Sequence, residues 1–437
     1  MNRTLSQAVD VLEPAFVKNF SCAGGGCPDH CCHTWEVFVD KKSFKSLKKI
    51  GDIVVKQLAN SNLKLTRISE TNYATIKMDE KSMCPFLDSE NLCQIHKRCG
   101  HQALPHTCQD YPRVFNWFGE QIESSLSLSC PSAAKEILFN PAAMMFDAKK
   151  YNPSQLNHGN IGGLIHQQLP DWLSIIREFC FAVILDEKLD LSTKLFMIGL
   201  FLKQSEEHLD NIPRLQQLIV SMAEMAQDGT IAKLFATLPV EPLLKWKLFA
   251  SQDAQLSFNR PIIKEREETE GLSLSDFRFN QCRMQLFSLL KENESTLAVS
   301  LRESKDSQIE ILKHNVKFFE SILSKAQKNT LNQYFDENPQ IMLNYLIYYF
   351  YHYQFMIRED KSPFQFFKIL VVDLMMLKSY LSGIAIKQGK LTDEWLLQLF
   401  QSYARQRQHQ SSFIAGLEAQ LNNAHINNPG AIFGVLK

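Results

Sequence analysis

Thiol groups are concentrated near the start of this sequence. Nine of the eleven cysteines lie between Cys22 and Cys130, and four of them follow one another as Cys22-x4-Cys27-x3-Cys31-Cys32. Thiols spaced this closely are either metal ligands or disulfide partners. As ligands they suit two kinds of centre, a tetrahedral zinc ion or a cysteine-held iron–sulfur cluster.

A second series of cysteines follows, with the spacing Cys84-x8-Cys93-x5-Cys99-x8-Cys108-x21-Cys130. It contains no CxxC pair, so it does not have the common zinc-ribbon pattern. These cysteines either complete the site that begins at Cys22–Cys32 or form a second four-ligand site. The two remaining cysteines, Cys180 and Cys282, lie in amphipathic segments and are predicted to be small buried core residues.

A run of three glycines, Gly24-Gly25-Gly26, lies between Cys22 and Cys27. Without side chains, the backbone N–H groups of this run can approach thiolates or cluster sulfides and donate hydrogen bonds to them. The alternative interpretation is a flexible turn that joins two zinc ligands.

Composition indicates the compartment and excludes some partners. Lys+Arg and Asp+Glu both number 47, so the net charge is zero and the basic excess of a nucleic-acid-binding protein is absent. The first 20 residues contain acidic groups and no apolar core of a secretory signal. The sequence therefore predicts a cytoplasmic protein, and in a reducing cytosol clustered cysteines are metal ligands more often than disulfides.

The elements that must position these thiols are predicted to be short. Asp40 can cap a helix, Lys64–Met78 has the composition of a hairpin, and Gln121–Leu128 is a candidate strand that runs into Cys130-Pro131. Residues 1–138 are therefore predicted to form a Cys-rich metal-binding region with small β content. Residues 139–169, with prolines and Gly-containing turns, are predicted to be a linker.

Residues 170–437 are predicted to form an all-α multi-helix domain, which makes the fold class mainly α. Apolar residues recur at helical spacing in Asp171–Asp186, Leu191–Gln204, Pro213–Gln227, Leu274–Asn293, Gln308–Gln327, Pro339–Arg358, Pro363–Gln388 and Asp393–Gln408. The two most apolar stretches contain polar or charged residues, among them Lys368, Asp373 and Lys378. Because such groups are costly in lipid, no membrane span is predicted.

Several short motifs follow one another in a fixed order through the first 138 residues. The opening motifs are Glu13-Pro14-Ala15-Phe16, Phe20-Ser21-Cys22, Cys27-Pro28-Asp29-His30-Cys31-Cys32, Trp35-Glu36-Val37 and Asp40. The later ones are Cys84-Pro85-Phe86-Leu87, Leu92-Cys93-Gln94-Ile95-His96, Thr107-Cys108-Gln109-Asp110-Tyr111-Pro112-Arg113 and Glu123 to Pro131. In this order they resemble the flagellin lysine-N-methylase family. The helical remainder is similar mainly at Asn344-Tyr345 and from Arg405 to Ser412.

The resemblance implies a protein-lysine N-methyltransferase that uses S-adenosyl-L-methionine, acts on flagellin and holds a [4Fe-4S] cluster. The family's cysteines match Cys22, Cys27, Cys31, Cys32, Cys84, Cys93, Cys108 and Cys130, whereas Cys99 has no clear counterpart. No catalytic base and no S-adenosylmethionine site can be carried over. By proximity to the thiols, the candidates for accepting the proton of a lysine amine are Asp29, His30, Glu36, Asp110, Tyr111 and Glu123.

Two other function classes stay open at this point. A non-catalytic zinc- or iron-chelating protein would have a metal-stabilised head and a helical interaction domain, and a cluster-based oxidoreductase would transfer electrons. The CxxxCxxC pattern of radical chemistry fails, because Thr34 stands at its third position. A doubly wound methyltransferase would show a Gly-rich turn between a strand and a helix, and the one glycine cluster lies between cysteines instead. Trp35 and Trp117 are candidates for stacking on adenine or on a sulfonium.

Overall fold

The computed structural model describes most of the chain and divides it into two compact units. The described residues are 8–33, 36–80, 83–152, 156, 161–165, 169–257, 274–300, 307–354, 362–409, 416–417, 419–421 and 429–437. One unit comprises Met1–Gln168 with Ile263–Phe277, and the other comprises Leu169–Ile262 with Arg278–Lys437. The protein is mainly α, with its strands in the first unit, as the sequence predicts.

A five-stranded mixed sheet forms one layer of the first unit. Its strands are β1 (Val9–Pro14), β5 (Arg113–Gly119), β6 (Gln121–Leu126), β7 (Phe146–Tyr151) and β8 (Gly162–Ile165), in the order β7-β1-β6-β5-β8. Strands β5 and β6 form an antiparallel hairpin, while β1 pairs with β6 in parallel. Val11 and Ile122 face each other across that parallel pair and are fully buried.

A smaller three-stranded sheet and short helices hold the cysteine loops. The strands are β2 (Phe38–Val39), β3 (Leu63–Leu65) and β4 (Ala74–Ile76), and the helices are α1 (Ala15–Lys18), α2 (Lys41–Lys49), α3 (Ile53–Asn62), α4 (Gln94–Cys99), α5 (His106–Asp110) and α6 (Pro131–Phe139). The Asp40 side chain accepts a hydrogen bond from Ser43 N at 2.9 Å, which confirms the predicted cap of α2. Strands β3 and β4 form the predicted hairpin.

The segment predicted as a linker contains two strands. Phe146–Tyr151 pairs antiparallel with β1 over six residues, and Gly162–Ile165 pairs in parallel with β5. The structure therefore differs from the sequence prediction here. Strand β7 lies at the sheet edge with mostly exposed side chains. It consequently lacks the apolar alternation that identifies a half-buried strand in a sequence.

The second unit is built of helices alone in its described part. They are α7 (Asp171–Leu185), α8 (Leu191–Ser205), α9 (Ile212–Gln227), α10 (Thr230–Thr237), α11 (Pro242–Ser257), α12 (Leu274–Ser300, which starts in the first unit), α13 (Ser307–Ala326), α14 (Asn332–Glu337), α15 (Gln340–His352), α16 (Pro363–Gln388), α17 (Asp393–His409) and α18 (Pro429–Leu436). A five-residue π-helical segment, Gln327–Leu331, joins α13 to α14. The predicted helices are present, most of them with shifts of one or two residues at their ends. The helix predicted as Leu274–Asn293 continues to Ser300, and the one predicted as Pro339–Arg358 ends at His352, with residues 355–358 outside the described residues. Helices α10, α11, α14 and α18 were not predicted from the sequence.

Helix α16 runs through the core of the helical unit. Among the described helices it is the one long and apolar enough to cross a membrane by length and composition, and 83% of its most apolar window is buried within the protein. Its charged residue Asp373 is fully buried, and Lys368 is nearly so. Contacts within the protein explain the apolar composition of this helix, because a core helix is apolar on all sides.

Candidate metal centre

A cavity of about 300 Å³ in the first unit collects the cysteines. Eight thiol-bearing residues line it, namely Cys22, Cys27, Cys31, Cys32, Cys84, Cys93, Cys108 and Cys130. Cys99 is not among the lining residues. These are the same eight cysteines that the sequence resemblance selected. Their role as ligands stays a prediction, but residues more than 100 positions apart in the chain meet around one space.

Short backbone contacts join the first cysteine motif, Cys22–Cys32, to the start of the second series of cysteines at Cys84. Cys84 N donates a hydrogen bond to Cys32 O at 2.8 Å, and an isolated β-bridge joins His33 to Met83 beside it. Further along the chain, Cys93 and Cys130 are the residues that immediately precede helices α4 and α6. Backbone N–H groups at these helix N-termini point toward the thiols and favour their ionised form.

The glycine run approaches a thiol as predicted. Gly24–Gly26 forms a 3-10 turn, and Gly24 N donates to Cys22 Sγ at 3.4 Å. Gly24 has φ of +57°, a left-handed conformation that glycine adopts without cost. At Gly25, a Cβ atom would collide with the Glu90 carbonyl oxygen. Glycine is therefore required there by the close passage of two loops.

Burial favours the protonated form of several of these thiols, among them Cys84 and Cys130, in the absence of a cation. It raises the pKa of Cys84 to about 12, with nearby Cys93 and Cys31 adding to the effect, although the backbone N–H of Phe86 opposes it. Burial likewise raises the pKa of Cys130 to about 12, again with charge on other cysteines adding to it. A hydrogen bond with Cys31, together with burial, raises the pKa of Cys32. A bound metal cation would reverse this balance, since thiolates are its ligands.

Mutual electrostatic influence connects thiols of the first motif with thiols of the second series, and Cys31 influences Cys27 as well. Burial dominates the raised pKa of Cys108, followed by the charges of Cys31, Cys84 and Cys93. The Cys130 pKa, by contrast, is influenced by Cys27 and Cys22. The Cys31 end of the first motif thus belongs with the downstream cysteines. This arrangement favours the alternative in which the second series completes the site begun by the first.

The eight cavity cysteines are suitable ligands for a soft metal. Their side chains are not, however, grouped tightly around the position of a single ion. Among the described residues, no three His, Cys, Asp or Glu side chains are grouped closely enough to hold a metal ion. Eight thiols nevertheless exceed the four that one zinc ion or one cluster requires. Binding would draw the cysteine loops inward and release thiol protons.

A buried acid–imidazole pair lies beside the thiols. Asp29 Oδ1 and His33 Nε2 are 3.0 Å apart, and both side chains are almost completely shielded from solvent. The His30 ring packs edge-on against His33 with centroids 4.8 Å apart. Asp29 and His30 also line the cysteine cavity. The carboxylate orients the imidazole, as it does for many metal-proximal and proton-accepting histidines.

The other sequence candidates are distributed more widely. Tyr111 lines the cavity, and its hydroxyl lies 3.1 Å from Ser129 Oγ. Glu36 is exposed, Asp110 is half-buried, and neither lines the cavity. Glu123 is buried within β6.

The structure describes one of the two tryptophan candidates for stacking. Trp117 packs against the sheet core, and Trp35 lies outside the described residues.

Two polar residues at the cavity, Gln109 and Arg113, were not predicted as site residues from the sequence. Gln109 Nε2 donates to Leu104 O at 2.6 Å, and the Arg113 guanidinium packs over the Phe20 ring at 5.1 Å. Both residues line the cavity together with the thiols. Both residues belong to the motif Thr107–Arg113. Their position in the sequence next to Cys108 and Tyr111 could have identified them as site candidates.

The helical unit contains a separate buried ionic network around Asp373. Its carboxylate accepts hydrogen bonds from Tyr403 Oη at 2.8 Å and Tyr349 Oη at 2.9 Å, and Arg407 Nε lies 2.8 Å away. The Arg407 guanidinium also lies over the Tyr353 ring, 4.8 Å from its centroid. Burial opposes the charge of Arg407, but Asp373 outweighs it and keeps the pKa of Arg407 high. The network is internally neutral.

Two family models match this chain. The FliB lysine N-methylase C-terminal domain matches residues 177–435, which is more than half of the sequence. A domain described as zinc- or iron-chelating matches residues 21–131. The second match covers all eight cavity cysteines, and the first covers the Asp373 network.

Curated relatives match over part of their length. The Lysine-N-methylases of Salmonella choleraesuis and Salmonella typhimurium are each 27% identical over 245 residues, 55% of this chain. The chain spans 59% of the length of each of these two relatives. The Flagellar biosynthetic protein FliU of Salmonella muenchen is 37% identical over 143 residues, 32% of this chain and 85% of the relative. No solved structure matches the chain.

Proposed function

The chain belongs to the FliB lysine N-methylase family, and we propose that it is a protein-lysine N-methyltransferase. The observation that carries this proposal is the joint presence of the family's C-terminal domain and the cavity of eight thiols. The two relatives named Lysine-N-methylase support the same reaction class. S-adenosyl-L-methionine is the proposed methyl donor, since an amine can attack the methyl carbon of its sulfonium and displace the thioether.

The reaction is an in-line displacement at the methyl carbon. The lone pair of a neutral lysine amine forms the new N–C bond while the C–S bond breaks, and its electron pair stays on sulfur as the thioether of S-adenosylhomocysteine. The methylated ammonium then loses a proton to water or to a protein base. The amine must be neutral before attack, which a desolvated site favours by lowering its pKa. Asp29–His33 is the best-oriented acid–base pair that the structure describes near the thiols.

The eight cavity cysteines are proposed as the metal ligands, with a [4Fe-4S] cluster as the cofactor and zinc as the alternative. A cluster held by Cys31, Cys32 and the downstream cysteines would cross-link the loops of the first unit and supply a redox-active centre. Gly24 and the N–H groups at the starts of α4 and α6 would donate hydrogen bonds to sulfur. The Asp29–His33 pair lies beside this site, with Asp29 among the residues that line the cavity.

Flagellin is the proposed protein substrate, in the cytoplasm. The support is the family resemblance together with the name of the flagellar biosynthetic relative. A nucleic-acid substrate is disfavoured, since Lys+Arg and Asp+Glu are equal and phosphate binding needs a basic surface. The helical unit, with its many elements, is proposed to receive the partner protein and to position one amine against the methyl carbon.

One experiment tests the cofactor and the reaction separately. The protein is purified anaerobically, its iron, sulfide and zinc are measured, and it is incubated with labelled S-adenosylmethionine and flagellin. We expect iron and sulfide, absorption near ~400 nm, and label on lysine. Label without iron would remove the cluster and keep the methyltransferase. Zinc without label would support the non-catalytic chelating protein, and iron without label would support the oxidoreductase.

A pair of variants links the metal to activity. The double substitution Cys31→Ser and Cys32→Ser removes two thiols of the cavity, while Cys99→Ser removes a thiol that does not line it. We expect the first variant to lose metal and methylation together and the second to keep both. Loss of metal in Cys99→Ser, with retention in the double variant, would contradict the proposed ligand set.

A further inference from the structure

The helical unit contains a large apolar cavity that the proposed methylation does not use. It has a volume of about 490 Å³, within the usual range for small-ligand sites. Its wall is mostly aliphatic and aromatic, with Leu346, Val371, Met375, Leu381 and Phe400 among the buried side chains. Helices α8, α15, α16 and α17 and the end of α18 contribute to this wall.

A smaller cavity of about 170 Å³ adjoins it and is rich in lysine. The two cavities share the lining residues Gln327, Met375, Lys378 and Val435. The smaller cavity is lined by four lysines and one glutamate, namely Lys245, Lys328, Lys378, Lys437 and Glu320. An apolar space therefore borders a space with an excess of positive charge.

Most of the polar groups near these cavities already have partners. Lys245 Nζ lies 3.4 Å from Glu320 Oε2, and Lys437 Nζ donates to the carbonyls of Ala236 and Leu238. In the large cavity, Lys194 Nζ donates to Ile184 O at 2.7 Å.

The acidic groups of the large cavity are also accounted for. The Asp190 carboxylate caps α8, and Asp336 is exposed to solvent. Neither therefore places an unpaired negative charge inside the apolar space.

Lys378 is the exception. It lines both cavities, and within the part of the chain that the structure describes no hydrogen bond or salt bridge engages its ammonium. Burial and the nearby Lys245 lower its pKa to about 8, although Glu320 opposes the shift. At pH 7 this amine still carries most of its charge, and Glu320 is the single acidic residue among the lining residues of the smaller cavity. An anion at this point would compensate it.

We propose that the two cavities form a binding site for an amphipathic anion of the fatty-acid type. The acyl chain occupies the apolar cavity, and the carboxylate pairs with Lys378 at the border of the lysine-rich cavity. A cationic ligand, such as a sulfonium or a lysine side chain, does not fit, because four lysines face one glutamate there. This site is independent of the methylation reaction.

A series of ligands with one tail and three head groups tests the proposal on the full-length protein at pH 7. The probes are decanoate, decanol and decyltrimethylammonium, each titrated below its micellar concentration by calorimetry. We expect saturable binding of decanoate, weaker binding of decanol and no binding of the cation. Equal affinities for the three probes, or no saturable binding of decanoate, would overturn the proposal without any variant being needed.

Three variants locate the site. Lys378→Met keeps most of the stem and removes the charge, so the decanoate affinity is expected to fall about tenfold, to the level of decanol. Leu374→Trp fills the apolar cavity and is expected to weaken decanoate and decanol alike. Lys247→Met, an exposed lysine on the same helix as Lys245, is the control and leaves binding unchanged. Unaltered decanoate binding by Lys378→Met, with circular dichroism showing a native fold, would rule out this site.

Discussion

The first unit gathers eight thiols around one cavity, whereas the helical unit buries charged groups such as Asp373 and Arg407 as partners of opposite charge. Burial raises the pKa of Cys84 and of Cys130, and the neighbouring cysteines add to the effect, because all of these thiols have the same charge when ionised. Asp373 and Arg407 neutralise each other at 2.8 Å. The thiols of the first unit would therefore need a cation from outside in order to ionise, whereas Asp373 and Arg407 of the helical unit compensate each other.

The two units also differ in the helices and strands that hold these ionisable groups. The cysteine loops rest on short helices, a three-stranded sheet and a small core around Val39, Leu47 and Phe86. The helical unit has a core of long helices, one of which, α16, spans 26 residues. A small core with many loops is stabilised strongly by a metal, as in other small metal-binding domains.

Removing the metal is expected to have the largest effect, and to affect one unit. Metal binding contributes on the order of 10 kcal/mol to folding in small metal-dependent domains. With Cys31→Ser and Cys32→Ser, hydrogen exchange should show the first unit unprotected and the helical unit protected. The Cys99→Ser variant serves as the control. Full protection of the first unit in the metal-free double variant would remove the proposed difference between the units.

Breaking the ionic network should affect the helical unit by a smaller amount. Asp373→Ala leaves Arg407 buried without its carboxylate, which typically costs about 3–5 kcal/mol. Urea denaturation followed by circular dichroism measures this loss, with and without a chelator. Lys387→Ala, which removes a salt bridge to the exposed Glu292, is the control and should cost under about 1 kcal/mol. We expect the loss to be the same with and without the chelator. If the chelator changed the loss caused by Asp373→Ala, the stability of the helical unit would depend on the metal, contrary to the proposed difference between the units.

Two adjacent glycines give a sharper test of the cysteine loop. Gly25→Ala places a methyl group against the Glu90 carbonyl, whereas Gly26→Ala meets nothing within 4 Å. We expect Gly25→Ala to destabilise the metal-bound first unit by about 1–3 kcal/mol. Metal retention during titration with a chelator measures the difference. Equal retention by both variants would mean that the loop adjusts freely.

The smallest effect concerns a helix cap in the first unit and depends on pH. Burial opposes ionisation of Asp40, but hydrogen bonds from Ser43 and the nearby His106 outweigh it and lower the Asp40 pKa. Because the folded pKa lies below the unfolded value of about 3.9, the contribution is present above that value. It disappears as the pH falls through the folded pKa. Asp40→Ala should cost about 1 kcal/mol at pH 7 in thermal unfolding, and progressively less in acid.

Much of the helical unit could be predicted from periodicity, because a repeat of apolar residues every three to four positions is a local property. Helix α16 was predicted with both of its ends, where Pro363 and Gly389 mark the boundaries. Helix α11 was missed, since Lys245 and Asp253 are buried on it through partners far away in the chain. The strands β7 and β8 were missed because their pairing is decided by the sheet and not by their own composition.

Sequence alone identified the residues that are proposed to carry the chemistry. The clustering of the thiols, the glycine run and the zero net charge are read directly from the chain, because ligand type and local spacing need no folding. The tertiary structure decided which thiols meet: it brings Cys32 beside Cys84 through a backbone hydrogen bond and leaves Cys99 outside the cavity. It also decided that Asp373 faces Arg407 and that Lys378 borders an apolar cavity. Such contacts depend on packing between distant segments, which spacing along the chain does not encode.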